Sequence, residues 1–109
     1  MTTRMKFWPS MRGWLMNKPY YMYVLLTAAN TLYTGFTDDV GRRFAQHQAG
    51  LGAKYTRPAS RRPLKLLYAQ AYPTKHDALS AEALFKRKTR AEKLTFLQDQ
   101  GVTDFTPAK

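Results

Sequence analysis

The chain has 109 residues, 44% of them hydrophobic, which is typical of one small globular domain with a core of its own. The absence of cysteine excludes disulfide frameworks, cysteine-based zinc sites and thiol nucleophiles, and it agrees with a place in the reducing cytoplasm. Eighteen lysines and arginines against seven acidic residues give a net charge of +11, which favours a polyanionic partner. We expect that partner to be nucleic acid; an anionic membrane surface or a structural place in a ribonucleoprotein are the alternatives.

Residues 1–19 form a basic and aromatic N-terminal extension that differs from the rest of the chain. The segment has four cations, two tryptophans and no acid, and Pro9 and Gly13 prevent a long helix. A signal peptide is not expected without an apolar segment of about 7–15 residues, nor a membrane span without a run of about 18. We expect a loosely packed extension; the alternative is an arm that touches nucleic acid or membrane.

A hairpin and a helix are predicted next. Residues 20–26 (YYMYVLL) and 31–36 (TLYTGF) are rich in aromatic and aliphatic side chains, and the short TAAN segment between them predicts a β-hairpin. A helix follows over residues 38–49, with Thr37 or Asp38 as its cap and acids at its positive end.

One stripe of this helix mixes apolar and polar side chains at i, i+3, i+4 and i+7 spacing: Val40, Arg43, Phe44 and His47. A stripe that packs on a sheet should be apolar, so the arginine and the histidine need a reason. An extended arginine that reaches solvent and a hydrogen-bonded core histidine are the structural explanation. The functional one is that arginine binds phosphate through two donors and histidine exchanges protons near neutral pH.

The second half of the chain continues with a basic loop, a strand and two helices. The loop, residues 48–63, is interrupted by glycine and proline, and residues 63–72 alternate as a third strand. A helix begins at Thr74 or Asp77 and reaches Lys88.

The last helix begins with a capping box, in which Thr89 and Glu92 satisfy each other's backbone donors, and Gly101 is its stop. Residues 101–109 are expected to be a frayed tail. The predicted order over residues 20–100 is therefore β-β-α-β-α-α, in one α/β (α+β) domain.

Glu82 is the acid that no helix start explains. It lies in the middle of its helix, on the same side as Ala78 and Phe85. A lone carboxylate there costs free energy unless it is paired or bound to a metal. Pairing with an arginine at the edge of the stripe is one explanation; the other is Mg²⁺, which one or two carboxylates often hold beside substrate phosphate.

Three tyrosines lie on the first two predicted strands. Tyr21 and Tyr23 alternate onto one face, and Tyr33 enters from the neighbouring strand. Core packing with hydroxyls that reach solvent is the default explanation. With an ordinary pKa of about 10, a tyrosine accepts a proton only if nearby cations lower that pKa or its own proton is passed onward.

Together these residues resemble the GIY-YIG nuclease family over residues 20–99. Tyr21-Met22-Tyr23 stands at the Gly-Ile-Tyr motif, of which it retains only the tyrosine, and Tyr33-Thr34-Gly35 stands at Tyr-Ile-Gly. Arg43 and His47 match the arginine of the next helix and the histidine or tyrosine one turn later, and Glu82 matches the glutamate of a later helix. The segments LYTG, GAKYTR and AEKL look like those of the small stand-alone bacterial members.

The resemblance implies a small three-stranded antiparallel sheet flanked by helices, and a nuclease that hydrolyses phosphodiester bonds in DNA or RNA with one divalent Mg²⁺ or Mn²⁺. It implies that Glu82 holds the metal and that Arg43 stabilises the phosphate. Tyr23 or Tyr33 would deprotonate the attacking water, with His47 as proton relay or phosphate ligand. Gly35 would have a structural role in its motif.

The basic residues near this site are expected to contact the nucleic-acid backbone: Lys54, Arg57, Arg61, Arg62, Lys65, Lys86, Arg87 and Lys88. Phe36 stands where several family nucleases have a lysine, so one phosphate-facing cation is missing from the pattern. The alternative function is a catalytically weak or inactive nucleic-acid-binding module that needs a partner subunit.

Overall fold

A computed structural model of the chain describes residues 5–6 and 18–108. The extension predicted over residues 1–19 lies outside these residues except at 5–6 and 18–19. The strands and helices are β1 (Met5–Lys6), β2 (Tyr20–Leu26), β3 (Leu32–Thr37), α1 (Val40–Gln48), β4 (Lys65–Tyr72), α2 (Lys75–Lys86) and α3 (Arg90–Asp99). The predicted order β-β-α-β-α-α is confirmed from Tyr20 onward.

The sheet is centred on β2, which pairs antiparallel with β3 on one side and with β4 on the other. The predicted three-stranded antiparallel sheet is therefore confirmed. The two-residue strand β1 adds a parallel edge to β4, with Met5 opposite Ala69 and Lys6 opposite Gln70. That edge was not predicted, because two residues carry no strand periodicity.

Both faces of the sheet are covered, because neighbouring residues of β2 point to opposite sides. Met22 and Val24 belong to a core completed by α2 and α3, in which Phe85 and Leu97 are buried. The opposite face holds Tyr23, Leu25, Val40, Leu64 and Ala69, with Tyr33 and Phe44 packed at its margin. Helix α1 covers this second face, and the candidate site lies there.

The helix starts follow the sequence closely. Thr74 accepts a backbone hydrogen bond at the start of α2, and Thr89 and Glu92 form the predicted capping box of α3. The cap of α1 is Asp39, one or two residues beyond the predicted position. None of the helices in residues 18–108 is long and apolar enough to cross a membrane.

The C-terminal tail is not frayed as predicted, because its apolar residues pack on the domain. Gly101 has a positive φ of 97°, which ends α3 and turns the chain back toward the core. Val102 is buried and Phe105 packs against the same core. Asp104 forms an ion pair of 2.8 Å with Lys65 of β4, which holds the tail along the strand.

Candidate active site

The ring of Tyr23 lies across Gly35, its partner on the neighbouring strand. A Cβ atom on residue 35 would lie 2.6 Å from Tyr23 Oη and 2.8 Å from Cζ, closer than real Cβ contacts. The glycine of the Tyr33-Thr34-Gly35 motif is therefore required by space. It lets the tyrosine hydroxyl of β2 cross β3 and meet helix α1.

Tyr23, His47 and Thr56 are buried and form a continuous chain of hydrogen bonds. Tyr23 Oη lies 2.8 Å from His47 Nε2, and His47 Nδ1 lies 2.6 Å from Thr56 Oγ1. Thr56 donates its only hydroxyl proton to the carbonyl of Ala53, at 3.1 Å. Thr56 must then accept from Nδ1–H, which leaves the Nε2 lone pair to accept the proton of Tyr23.

The burial of His47 limits what its ring can contact directly. The ring is 0% exposed and both its nitrogens are bonded within the protein. The expectation that it contacts phosphate directly is wrong for this arrangement. Its position agrees with the other expected role, that of a proton relay behind Tyr23.

The electrostatics of the pair keep both groups neutral near neutral pH. Burial raises the pKa of Tyr23 to about 12, against a hydrogen bond and the charge of Arg43, which lower it. Burial, followed by the charge of Arg43, lowers the pKa of His47 to about 4. Arg43 lowers the pKa of Tyr23, which is the direction predicted for a nearby cation, but the rise caused by burial is larger. The proton of Tyr23 must therefore be passed onward rather than lost to solvent.

Arg43 is half-buried on α1 and lies within hydrogen-bonding range of Tyr23. Its Nη1 donates to Gln46 Oε1 at 3.0 Å, one turn along the same helix. Its charge acts on both Tyr23 and His47. A guanidinium oriented in this way can bind a phosphate placed above the tyrosine hydroxyl.

Glu82 comes to the same site from α2, and its charge contributes to the raised pKa of Tyr23. Its side chain is 15% exposed and its Oε2 accepts from Lys86 Nζ at 2.9 Å, so the ion pair that was one of the two explanations exists, with a lysine in place of an arginine. No cluster of three or more metal-ligating side chains occurs in the described part of the chain. One half-buried carboxylate fits a hard divalent cation completed by substrate phosphate and water, and that cation would displace Lys86.

Tyr33 contacts the pair without joining its hydrogen bonds. The ring meets His47 edge-on at 5.2 Å between centroids and stacks on Tyr55 at 6.1 Å with 14° between the planes. Tyr33 is therefore a wall of the site. This arrangement favours Tyr23 over Tyr33 as the group that exchanges a proton.

Three residues of the GAKYTR segment (52–57) help to build the candidate site, and the sequence alone did not predict them. Thr56 orients His47, Tyr55 stacks on Tyr33, and Gly52 packs so closely that a Cβ would collide with the His47 ring. In the sequence this segment is marked only by its family likeness and its basic residues. Its uncharged residues had no periodicity to mark them.

The predicted basic surface is divided by the structure. Lys54 and Arg57 are exposed beside an open pocket, and the Arg61 guanidinium lies 3.9 Å from the centre of the Tyr55 ring. Arg62 instead donates to backbone carbonyls of the loop, and Lys65 binds the C-terminal tail. We therefore assign those last two cations to structural contacts within the chain.

The three cations at the end of α2 also separate. Lys86 borders a groove with Tyr33 and Tyr55, on the side of the candidate site. Lys88 lines a different groove and lies over Phe96, 5.6 Å from the ring centre. Arg87 is exposed at the helix end. Their neighbouring numbers therefore do not make one surface, because successive residues of a helix point in different directions.

The buried histidine predicts a specific loss of stability in acid. The pKa of His47 is about 4 in the folded protein against an ordinary 6.5. Between these values the unfolded chain binds a proton that the folded chain does not, so the free energy of unfolding falls as pH falls. The slope is up to about 1.4 kcal/mol per pH unit, about 2–3 kcal/mol in all. Denaturant unfolding across this pH range measures it.

The control is the other histidine. His47→Gln should remove most of this slope, whereas His76→Gln, at an exposed position of α2, should keep it. The lowered pKa values of Glu92 and Asp104 act only below their ordinary values of 4.5 and 3.8, at the acid end of the window. An unchanged slope in a folded His47→Gln protein would contradict the assignment.

Comparison with known proteins identifies the class to which this fold and site belong. Residues 19–95 match the family model of the GIY-YIG catalytic domain. Because the match spans most of the chain, the chain belongs to the GIY-YIG family, whose catalytic domain is of the nuclease type. The resemblance read from the tyrosine motifs is thereby confirmed.

Within that family the chain is similar to proteins named UPF0213. It is 55% identical over 86 residues to a UPF0213 protein of Limosilactobacillus reuteri, covering 79% of this chain and 90% of that protein. It is 59% identical over 85 residues to a UPF0213 protein of Lacticaseibacillus paracasei, covering 78% of this chain and 93% of that protein.

Two solution NMR structures are also similar. The UPF0213 protein BH0048 of Bacillus halodurans has a TM-score of 0.52 and 35% identity, over 81% of this chain and 90% of that one. The protein EF2693 of E. faecalis has a TM-score of 0.55 and 39% identity, over 81% of this chain and 92% of that one. Both likenesses extend across nearly the whole of the other chain, so they concern the complete small domain of those proteins.

Proposed function

We propose that the chain is a metal-dependent nuclease that hydrolyses phosphodiester bonds of DNA or RNA. The observation that carries the proposal is the buried hydrogen-bond chain from Tyr23 through His47 to Thr56, beside Arg43 and within the electrostatic influence of Glu82. The buried Tyr23 hydroxyl needs an acceptor, and the imidazole that supplies it can also take up the hydroxyl proton. The net charge of +11 supports a nucleic-acid partner.

Tyr23 is the general base in this proposal. Its hydroxyl proton points at His47 Nε2, so its oxygen can accept a proton from water in front of it. As water oxygen attacks phosphorus, the water proton passes to Tyr23 Oη while the phenol proton passes to Nε2. The bond from phosphorus to the leaving oxygen then breaks, and that oxygen takes a proton from solvent. His47 returns the phenol proton to Tyr23 Oη, and the water proton leaves Tyr23 Oη to solvent, so both groups regain their resting forms.

Arg43 and Glu82 supply the electrostatic part. Arg43 faces the phosphate position and stabilises the charge that develops there, a term that is usually large. Glu82 would hold Mg²⁺ or Mn²⁺, which when bound polarises a phosphoryl oxygen as a Lewis acid. Lys86, already paired with Glu82, would then be available to a neighbouring phosphate.

Phe36 was the departure that favoured the weak or inactive binding module. In the structure the Lys75 Nζ lies over the Phe36 ring, 5.8 Å from its centre. A cation from the start of α2 therefore stands near the position where several family nucleases have a lysine. Cleavage by the purified protein, tested below, decides between an active enzyme and the binding module.

Replacement of Arg43 with alanine tests the proposal. Purified protein is incubated with Mg²⁺ or Mn²⁺ and a panel of flap, branched, single-stranded and duplex oligonucleotides, in DNA and RNA forms. We expect cleavage by the wild type that is abolished by chelator. Arg43→Ala should lower the rate by about 10²–10³-fold, the effect of losing one transition-state donor.

Arg42→Ala is the matched control, because Arg42 is exposed on the same helix and pairs with Asp38 at 2.8 Å. It should keep most of the activity, since an exposed ion pair contributes only about 0–1 kcal/mol. Unchanged cleavage in Arg43→Ala would remove Arg43 from the site. Binding with a steep salt dependence and no cleavage of any substrate would favour the binding module, with or without a partner subunit.

A further inference from the structure

An open pocket of about 740 Å³ lies beside the candidate active site, at two short 3₁₀ turns (Lys54–Thr56 and Ala59–Arg61) of the loop between α1 and β4. We call it the Tyr55 pocket, and its lining residues are Lys54, Tyr55, Arg57, Pro58 and Arg61. Its size is that of a ligand-binding pocket. The hydrolysis described above uses none of these side chains, so the pocket needs an explanation of its own.

The wall of the pocket is a flat, pre-organised stack. Tyr55 Oη donates to Thr31 Oγ1 at 2.8 Å, and the ring stacks on Tyr33 from one side. The Arg61 guanidinium lies 3.9 Å from the centre of the Tyr55 ring, and its Nη1 donates to the Tyr55 carbonyl at 2.7 Å. Ring and guanidinium are thus held in place by hydrogen bonds. Such planes are the surfaces on which proteins stack unpaired bases.

The charge of the pocket selects an anion. Lys54, Arg57 and Arg61 make no ion pair with a carboxylate anywhere in residues 18–108. A ligand with one flat aromatic group and flanking negative charges would complement both the planes and the cations. A nucleotide within a strand has this combination, with its base on the plane and its phosphates on the cations.

The Tyr55 pocket and a second groove share Tyr55 as a lining residue. That groove is lined among others by Tyr33, Lys86 and Lys93, and Lys86 pairs with Glu82. A strand with its phosphate near Glu82 can therefore pass over this groove and reach the pocket. The groove adds Lys93 to the cations that such a strand would meet.

We propose that the Tyr55 pocket binds an unpaired nucleobase next to the cleaved phosphate, so that the substrate class is single-stranded nucleic acid or a structure with an unpaired nucleotide at that point. A base inside a duplex is stacked and paired, and it reaches such a pocket only after unpairing. The inference rests on the proposed nuclease function for the phosphate position, while the pocket itself can be tested by binding alone.

The experiment compares two fluorescent strands with the same number of phosphates, an oligothymidylate and a strand whose internal nucleotides are abasic. Binding to the full chain is followed by fluorescence anisotropy in EDTA, where no metal-dependent cleavage occurs. We expect the wild type to bind the base-bearing strand at least about 5-fold more tightly, the lower end of one stacking contact. Equal affinity of the wild type for both strands would overturn the proposal without any variant.

Two variants of one residue then locate the preference. Tyr55→Leu should bring the affinity ratio of the two strands toward one, whereas Tyr55→Phe keeps the ring and should keep the ratio. Arg57→Gln should weaken the binding of both strands by the same factor and reduce the salt dependence of binding by about one counterion. A base preference that survives in folded Tyr55→Leu protein would place the base elsewhere and overturn the proposal.

The result is separable from that of the proposed function. A base preference that Tyr55→Leu abolishes, in a protein that cleaves nothing with Mg²⁺ or Mn²⁺, would uphold the pocket and reject the nuclease. Cleavage together with equal binding of base-bearing and abasic strands would uphold the nuclease and reject the pocket.

Discussion

Replacement of Glu82 with glutamine is expected to lower phosphodiester cleavage by about 10³-fold or more while leaving the protein folded. Glutamine preserves the shape of the side chain but removes the charge that would hold the divalent cation. A Lewis acid at a phosphoryl oxygen contributes several kcal/mol, and each 1.36 kcal/mol is about tenfold in rate. Single-turnover cleavage rates over a range of Mg²⁺ and Mn²⁺ concentrations measure the effect.

The stability of this variant should change little. The ion pair that it loses joins Glu82 to a Lys86 side chain that is 53% exposed, and such pairs contribute about 0–1 kcal/mol. Direct titration with Mn²⁺ in the presence of an oligonucleotide should show weaker metal binding, which is a readout independent of turnover. Thermal unfolding confirms that the lost activity is not a lost fold.

Glu92→Gln is the matched control, because the same chemical change is made at an exposed capping box of α3, where glutamine is also accepted. It should cleave like the wild type. Equal cleavage rates in the wild type and Glu82→Gln, at every metal concentration, would show that Glu82 does not hold a required cation.

Replacement of Tyr23 with phenylalanine should lower the cleavage rate by about 10²–10⁴-fold, the range for a positioned proton-transfer group. The ring still fills the space over Gly35, but the hydroxyl that donates to His47 is gone. The buried Nε2 is left without its donor, which costs about 1–3 kcal/mol of stability. Rates and denaturant unfolding of the same preparations separate the two effects.

Tyr33→Phe distinguishes the two tyrosines that the family motifs left open. Tyr33 contacts His47 edge-on and makes no hydrogen bond to it, so removal of its hydroxyl should cost much less activity. The loss in Tyr23→Phe should persist at every pH, because phenylalanine has no proton to pass on. A greater loss in Tyr33→Phe than in Tyr23→Phe would make Tyr33 the base.

The helices and strands were predictable because their signals are local. The aromatic and aliphatic side chains of Tyr20–Leu26, the capping box at Thr89 and the stripe through Val40 and His47 each involve residues a few positions apart. Helical spacing could state that His47 lies on the packed side of its helix. It could not state which atoms would bind the two ring nitrogens, because Tyr23 is 24 residues away and Thr56 lies in a loop.

The basic residues show the opposite case, in which local sequence misleads. Arg57 and Arg62 look equivalent in the loop, yet one lines an open pocket and the other donates to loop carbonyls. Lys65 was expected to contact the nucleic-acid backbone. In the structure it pairs with Asp104, because the C-terminal tail packs along β4 instead of fraying. A count of positive charges predicts an anionic partner, and only the contacts of each cation decide which ones can meet it.

The sequence by itself determined the order of the strands and helices and the GIY-YIG resemblance, because period-2 and period-3.6 patterns and short motifs are properties of neighbouring residues. Only the tertiary structure decided that Tyr23 is the tyrosine bonded to His47, that Thr56 sets the tautomer, and that Tyr55 and Arg61 stack beside the site. These contacts join separate strands, helices and loops, so their geometry exists only once the chain has folded.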